Sequence, residues 1–409
     1  MTTKPGFQST PNQNINRRTA IGGLAAMALG GASMPALAQT VRGITPTSIT
    51  MGATLGLTGP AAVAHEQIRA GQYAYMSMIN ERGGVNGRKI NLIFEDNEYQ
   101  AQKGVTAVRK LVMRDNIFAL IGSNGTAQLN PVLPFLAEQK VPVINSFTGS
   151  LDWFNPVNPN IFGVYTSLEY CMQACGRWAA KDGHKKILVP YFDAAFVRAF
   201  TQYAIPGAKS VNPDVQVDFY PIKLGTVDYV PHALEIINRK PDAVIGMTIL
   251  AEFVAMVREL RAQGSNVPIY TPPSNVFESL ISMSPAAMEG TKAFAFTTSP
   301  LADTPAVKEY RDAMAKYVTP AQKPDFMSLF TFAGSKVIVE ALRRTKEPLS
   351  LETFTDSLQS MKDYDSGLLP PITFSPTDHQ GTNSLFQVIA KNGTWVPTGK
   401  VVDAAKNNW

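Results

Sequence analysis

SITMGATLGLTGPAAVAHEQIRAGQYAYMSMINERGGVNGRKINLIFEDN, residues 48–97, carries one complete βαβ unit with its punctuation visible. Ile49, Met51, Ala53 and Leu55 alternate as the buried side of a strand does. Leu57-Thr58-Gly59-Pro60 turns the chain into an amphipathic helix, which ends at Glu81-Arg82-Gly83-Gly84-Val85-Asn86-Gly87. Glycines at 83, 84 and 87 suit the left-handed backbone that stops a helix and feeds the next strand, marked by Ile90, Leu92 and Phe94.

The same rhythm continues outward. Val105, Val108, Leu111 and Val112 have helical spacing, 118–121 is a short apolar run, 133–137 is helical and 141–144 is another strand. Asn155-Pro156-Val157-Asn158-Pro159-Asn160 then marks a loop or crossing, and the alternation restarts at 161–165. Helices are expected at 167–181, 196–209, 231–239 and 251–262, with strands at 187–192, 215–220, 243–248 and 268–271 between and after them. The tail reads differently, with helices at 328–344 and 351–361 followed by strands at 372–374 and 386–390. The fold class is α/β, and two doubly wound Rossmann-like lobes are expected, each a mostly parallel sheet with helices on both faces.

The 57–60 turn, the 80–87 turn and the strand end Glu95-Asp96-Asn97 resemble the opening of the Leu/Ile/Val-type solute-binding proteins of ABC transporters. The resemblance covers essentially all of the chain after residue 38. It implies the type I periplasmic-binding-protein fold, with discontinuous lobes joined by a hinge. The first would be 40–160 plus about 295–372, and the second 161–294 plus about 373–409. It further implies capture of a small carboxylate-bearing solute, a branched-chain amino acid or a related apolar or aromatic acid, by hinge closure. Delivery would be to the membrane permease and ATPase subunits, by a monomer that needs no cofactor and no metal. A ligand-sensing module of the same fold is the alternative, and an exported α/β hydrolase a more distant one.

The first residues speak to location. A polar stretch ends in Asn16-Arg17-Arg18-Thr19, an apolar small-residue run follows, and Ala36-Leu37-Ala38 has the form of a cleavage site, so 1–38 is expected to be a signal peptide. The paired arginines fit twin-arginine export, and an ordinary secretory signal is the alternative. The expected location is the periplasm. Without residues 1–38, which hold Lys4, Arg17, Arg18 and no acid, 34 basic residues face 32 acidic ones. Such a scattered, near-neutral balance gives no stripe for nucleic acid. Cys171 and Cys175, four apart on one expected helix, are read as packed thiols, because a disulfide at that spacing strains a helix.

Catalytic signatures are missing: there is no phosphate-binding glycine motif, no H-E-x-x-H and no G-x-S-x-G. His65, His184, His232 and His379 fall in separate elements and are read as surface or loop residues, so no enzyme is expected. The positive signals are strand ends, where open α/β sheets hold ligands. Gly122-Ser123-Asn124-Gly125-Thr126 follows one strand and precedes a helix, so its backbone and the Thr126 hydroxyl suit a carboxylate. A plain helix cap would use the same residues. Asn145-Ser146-Phe147-Thr148-Gly149-Ser150 repeats the chemistry after the next strand.

The resemblance assigns ligand contacts to Thr126, Phe147, Thr148 and Gly149, and Gly125 joins them because a glycine lets the backbone approach a ligand. Tyr165, Tyr191, Thr248 and Ser274, at the lobe junction or at second-lobe strand ends, complete the expected set, and Tyr170, Phe192 and Phe196 lie near by. The second lobe departs from the family. Thr271-Pro272-Pro273-Ser274-Asn275 has no carboxylate where the branched-chain binders clamp an ammonium, and Thr248-Ile249-Leu250 replaces an expected aromatic. Only Glu252 or Glu169 is placed to substitute. The family's first-lobe disulfide is also missing, with no cysteine near Asn97 or Gly125. A ligand with an apolar or aromatic body and no α-ammonium is therefore expected.

Overall fold

The computed structural model describes residues 41–409 except Pro60, Ile249 and Asn408. The expected signal peptide lies outside the described residues. Five strands build the first sheet: β1 (Ser48–Leu55), β2 (Lys89–Asp96), β3 (Ala119–Ile121), β4 (Val143–Ile144) and β5 (Ile161–Phe162). They are parallel throughout, in the spatial order β2-β1-β3-β4-β5. The order reverses between β1 and β3, which opens a crevice at their carboxyl ends.

The quoted stretch explains its own geometry. Ile49, Met51, Ala53 and Leu55 are buried, and helix Ala62–Glu81 covers the sheet. The helix stops where Gly84 N–H bonds back to the Ile79 carbonyl at 2.9 Å with φ of 84° at Gly84. Asn80 then serves as a strand neighbour for β2. Its Nδ2 donates to the Ile90 carbonyl and its Oδ1 accepts from the Ile90 N–H, both at 2.7 Å.

Seven strands build the second sheet: β6 (Lys186–Phe192), β7 (Gln216–Ile222), β8 (Ala243–Ile245), β9 (Ile269–Thr271), β10 (Lys292–Ala295), β11 (Ser384–Lys391) and β12 (Thr394–Asp403). Their order is β12-β11-β10-β9-β8-β6-β7, with β6 to β10 parallel and the last two antiparallel. The reversal between β6 and β8 opens a second crevice. Each sheet with its helices makes one doubly wound α/β lobe, as the alternation predicts. Helices Pro305–Tyr317 and Phe326–Arg344 return to pack on helix Ala62–Glu81.

Several expectations need correction. Strand 161–165 does not open the second lobe, because β5 pairs with β4 in the first sheet. Residues 372–374 form no strand. Phe374 and His379 instead pack on Phe162, with ring centroids 5.3 and 3.9 Å away, so the return to the second sheet comes only at β11. The helix expected at 196–209 is two, Ala195–Thr201 and Ala204–Lys209. Helix Pro305–Tyr317 and strand β12 were not foreseen. His65 is a buried helix residue, neither surface nor loop, and His379 lies in a loop but is buried. Cys171 and Cys175 are free buried thiols. Among the described residues no helix is long and apolar enough to cross a membrane.

Candidate functional site

A cavity of about 350 Å³ lies where the carboxyl ends of both sheets meet. From the first lobe it takes His65 after β1, the 124–128 turn after β3, Phe147 to Gly149 after β4, and Tyr165 and Leu168 after β5. From the second it takes Phe192 at the end of β6 with Asp193, Ala194, Phe196 and Val197 after it, Met247 and Leu250 after β8, Ser274 and Phe277 after β9, and Phe296 after β10. Seven of the nine expected contacts therefore line one space: Gly125, Thr126, Phe147, Thr148, Gly149, Tyr165 and Ser274.

Tyr191 and Thr248 do not reach it. Tyr191 lies on β6 with its side chain in the second-lobe core, and its neighbour Phe192 takes the cavity position. Thr248 is fully buried, and its carbonyl accepts the Asn275 Nδ2–H at 2.8 Å. Tyr170 is also outside the wall, whereas Phe196 lines it. Neither substitute carboxylate arrives. Glu252 accepts from the Gly225 N–H at 2.8 Å and the Tyr229 hydroxyl at 3.2 Å, and Glu169 accepts from the Leu151 N–H at 3.0 Å.

The first-lobe wall is a network of turn groups. The Thr126 hydroxyl donates to the Thr148 carbonyl, which ties the two turns together, so it is not a free donor as the sequence reading supposed. Tyr165 donates to the Ser146 carbonyl and accepts from the Thr148 N–H at 3.3 Å. Thr148 Oγ1 and Ser274 Oγ are buried without a protein partner. The N–H groups of Thr126 and Ala127, in the first turn of their short helix, have no carbonyl behind them within it. Gly125 is required here. Its φ is 114°, and a Cβ would sit 2.0 Å from Gln128 Oε1.

Sequence reading missed His65. Its Nδ1 accepts the Gly56 N–H at 2.7 Å, and burial lowers its pKa from 6.5 to about 4, so the ring is neutral at pH 7. The strand-end rule that found the other turns applied equally after β1. There the residues were read only as a turn and a helix start.

The remaining wall is apolar. Phe147 stacks on Tyr165 with centroids 5.7 Å apart and meets Phe330 edge-on at 4.6 Å. Phe192, Phe196 and Phe200 form an edge-to-face chain at 5.7 and 5.8 Å on the opposite side. Among the described residues no lysine or arginine lines the cavity, and the one carboxylate is exposed Asp193. No group of three or more potential metal ligands exists among the described residues.

The family model described as periplasmic binding protein matches residues 48–394. The chain belongs to that family. A relative named Leu/Ile/Val-binding protein homolog 3, from Brucella melitensis, is 33% identical over 129 residues, which is 32% of each chain. The chain thus spans about a third of the length of that relative. A branched-chain amino acid ABC transporter structure from Thermus thermophilus with bound valine superposes with a TM-score of 0.80 at 20% identity, covering 88% of this chain and 97% of its own. A solute-binding protein of an R. palustris ABC transporter, in complex with benzoate, gives 0.74 at 18% identity, covering 87% and 97%. At such identities the likeness is one of fold. Membership of the periplasmic binding protein family implies an extracytoplasmic location.

Proposed function

We propose that this protein captures a small carboxylic acid with an apolar or aromatic body and no α-ammonium, and delivers it to the permease and ATPase of an ABC importer. The observation that carries the reading is the composition of the cavity wall. Aromatic faces surround the ligand body, an unpartnered buried hydroxyl at Thr148 and the N–H groups of Thr126 and Ala127 suit a carboxylate, and among the described residues no buried carboxylate lines the cavity to meet an ammonium. Burying an unpaired ammonium costs several kcal/mol. The cavity volume of about 350 Å³ is at the small end for ligand sites, which favours a compact acid.

Binding on this reading begins on the first-lobe turns, and contacts from Phe192, Phe196 and Ser274 then favour a closed state. The lobes cross near three places. Gly163 bridges to Gln380, Thr166 Oγ1 lies 3.1 Å from Asn383 Oδ1, and Phe296 follows β10 toward the first lobe. The hinge is assigned to these segments. The chain acts as an exported monomer after removal of residues 1–38, with no chemistry on the ligand.

Thr148→Val keeps the side-chain shape and removes the free hydroxyl. Its affinity for benzoate in titration calorimetry should fall about 10- to 100-fold, the worth of one hydrogen bond to a charged group. Unchanged affinity would put the carboxylate elsewhere. The ligand class itself is tested by purifying the protein without denaturation and extracting what it retains for mass spectrometry. An acid without an amine is the expected cargo. Recovery of leucine, isoleucine or valine would refute the reading.

A further inference from the structure

We infer that Asp325 ties the two lobes together beside the cavity, so that its hold on Ser279 sets how readily the site opens. This rests on the hinge-closure step of the reading above and not on the identity of the ligand. Asp325 belongs to the first lobe, where it caps helix Phe326–Arg344. Its Oδ1 accepts the Met327 N–H at 2.9 Å, which is the capping bond. Its Oδ2 crosses to helix Glu278–Ile281 of the second lobe, where it accepts the Ser279 N–H at 3.0 Å and the Ser279 hydroxyl at 3.1 Å. One carboxylate thus serves both lobes.

Both ends of the tie are fixed. In the first lobe the Asp325 N–H donates to the Tyr310 hydroxyl at 3.1 Å, and that hydroxyl lies 2.7 Å from Ser328 Oγ. In the second, Glu278 Oε1 accepts the Thr394 hydroxyl at 2.8 Å and the Trp395 N–H at 3.2 Å, and the Trp395 Nε1–H donates to the Phe277 carbonyl at 3.3 Å, which pins the short helix to β12. Asp325 is 1% exposed, and hydrogen bonds to an ionised group are the strong ones. Its bonded neighbour Met327 and the residue Phe277, two before Ser279, line the cavity from opposite lobes. Phe326, Met327 and Phe330 also meet Pro273, Val276 and Phe296 along an apolar seam. Parting the lobes must break both Ser279 bonds and hand Oδ2 to water, whereas the Met327 cap can stay. Asp325 is therefore a positioning residue for the two cavity walls, and its hold is reversible.

Small-angle X-ray scattering, read as the radius of gyration, compares the wild-type protein with Ser279→Asp, Asp325→Asn and the double variant. The wild type should match the structure described here. Ser279→Asp sets two carboxylates face to face, and Asp325→Asn keeps the helix cap but turns amide donors toward the Ser279 N–H, so each single variant should shift to a larger radius. The double variant again places one carboxylate opposite one set of donors, and its radius should return toward the wild-type value. Circular dichroism confirms folding, and Asp325→Asn alone decides the matter if Ser279→Asp does not fold. A lower urea midpoint with an unchanged radius in the single variants would make the bond purely structural and overturn the inference. A double variant no more compact than the singles would also overturn it, as would a wild type already as extended as they are. None of these results bears on the acid-binding reading, which the retained ligand decides.

Discussion

Gly71→Ala should destabilise the protein by about 3 kcal/mol or more, as read from its urea unfolding midpoint. Helix propensity alone predicts the opposite sign, because alanine is about 1 kcal/mol better than glycine inside a helix. Packing decides the matter. Gly71 sits mid-helix in Ala62–Glu81 against helix Phe326–Arg344, and a Cβ there would lie 2.0 Å from the Ser328 carbonyl oxygen and 2.3 Å from Thr331 Oγ1. The first obstacle is backbone in a packed helix, so neither partner yields cheaply. Stabilisation by the alanine would show that the two helices do not approach this closely.

Acid should weaken the fold through His65. Its pKa in the folded protein is about 4, against an ordinary 6.5, so the unfolded chain takes up a proton first as pH falls. The contribution is fully present above pH 6.5 and is lost between 6.5 and 4, which amounts to about 3 kcal/mol. His379, also lowered by burial, acts in the same direction. Glu278 acts in the opposite one, because burial raises it to about 6. The comparison that isolates His65 is therefore wild type against His65→Gln, each unfolded by urea at pH 7 and at pH 4. The variant should lose about 3 kcal/mol less over that interval. Parallel losses in the two proteins would refute the buried neutral ring.

These two positions also mark where the sequence was legible. The βαβ unit at 48–97 could be read because the strand alternation, helix spacing and glycine stops all agree on one local structure. That Gly71 is a contact point between distant helices could not be read, since its partner lies more than 250 residues away at Ser328. Asn392-Gly393 did carry a hairpin signal, and both residues have positive φ between β11 and β12. Helix 196–209 was joined because its apolar spacing runs on through the break near Tyr203.

The site shows the same division. Turns after β3 and β4 were found because glycine and hydroxyl residues cluster at strand ends. Tyr191 was misplaced by one step of strand alternation, so its neighbour Phe192 reaches the cavity instead. His65 gave no local signal of burial. Only the fold brings its ring to the Gly56 N–H and the first-lobe wall.

The central claim is that the cavity accepts a carboxylate and holds no buried carboxylate to neutralise an ammonium. Titration calorimetry of one protein preparation with phenylacetate, benzoate and leucine measures it most directly. One of the two aromatic acids should bind about a hundredfold or more tighter than leucine, the ratio set by an unpaired buried ammonium. Leucine binding as tightly as either acid, or tighter, would contradict the account.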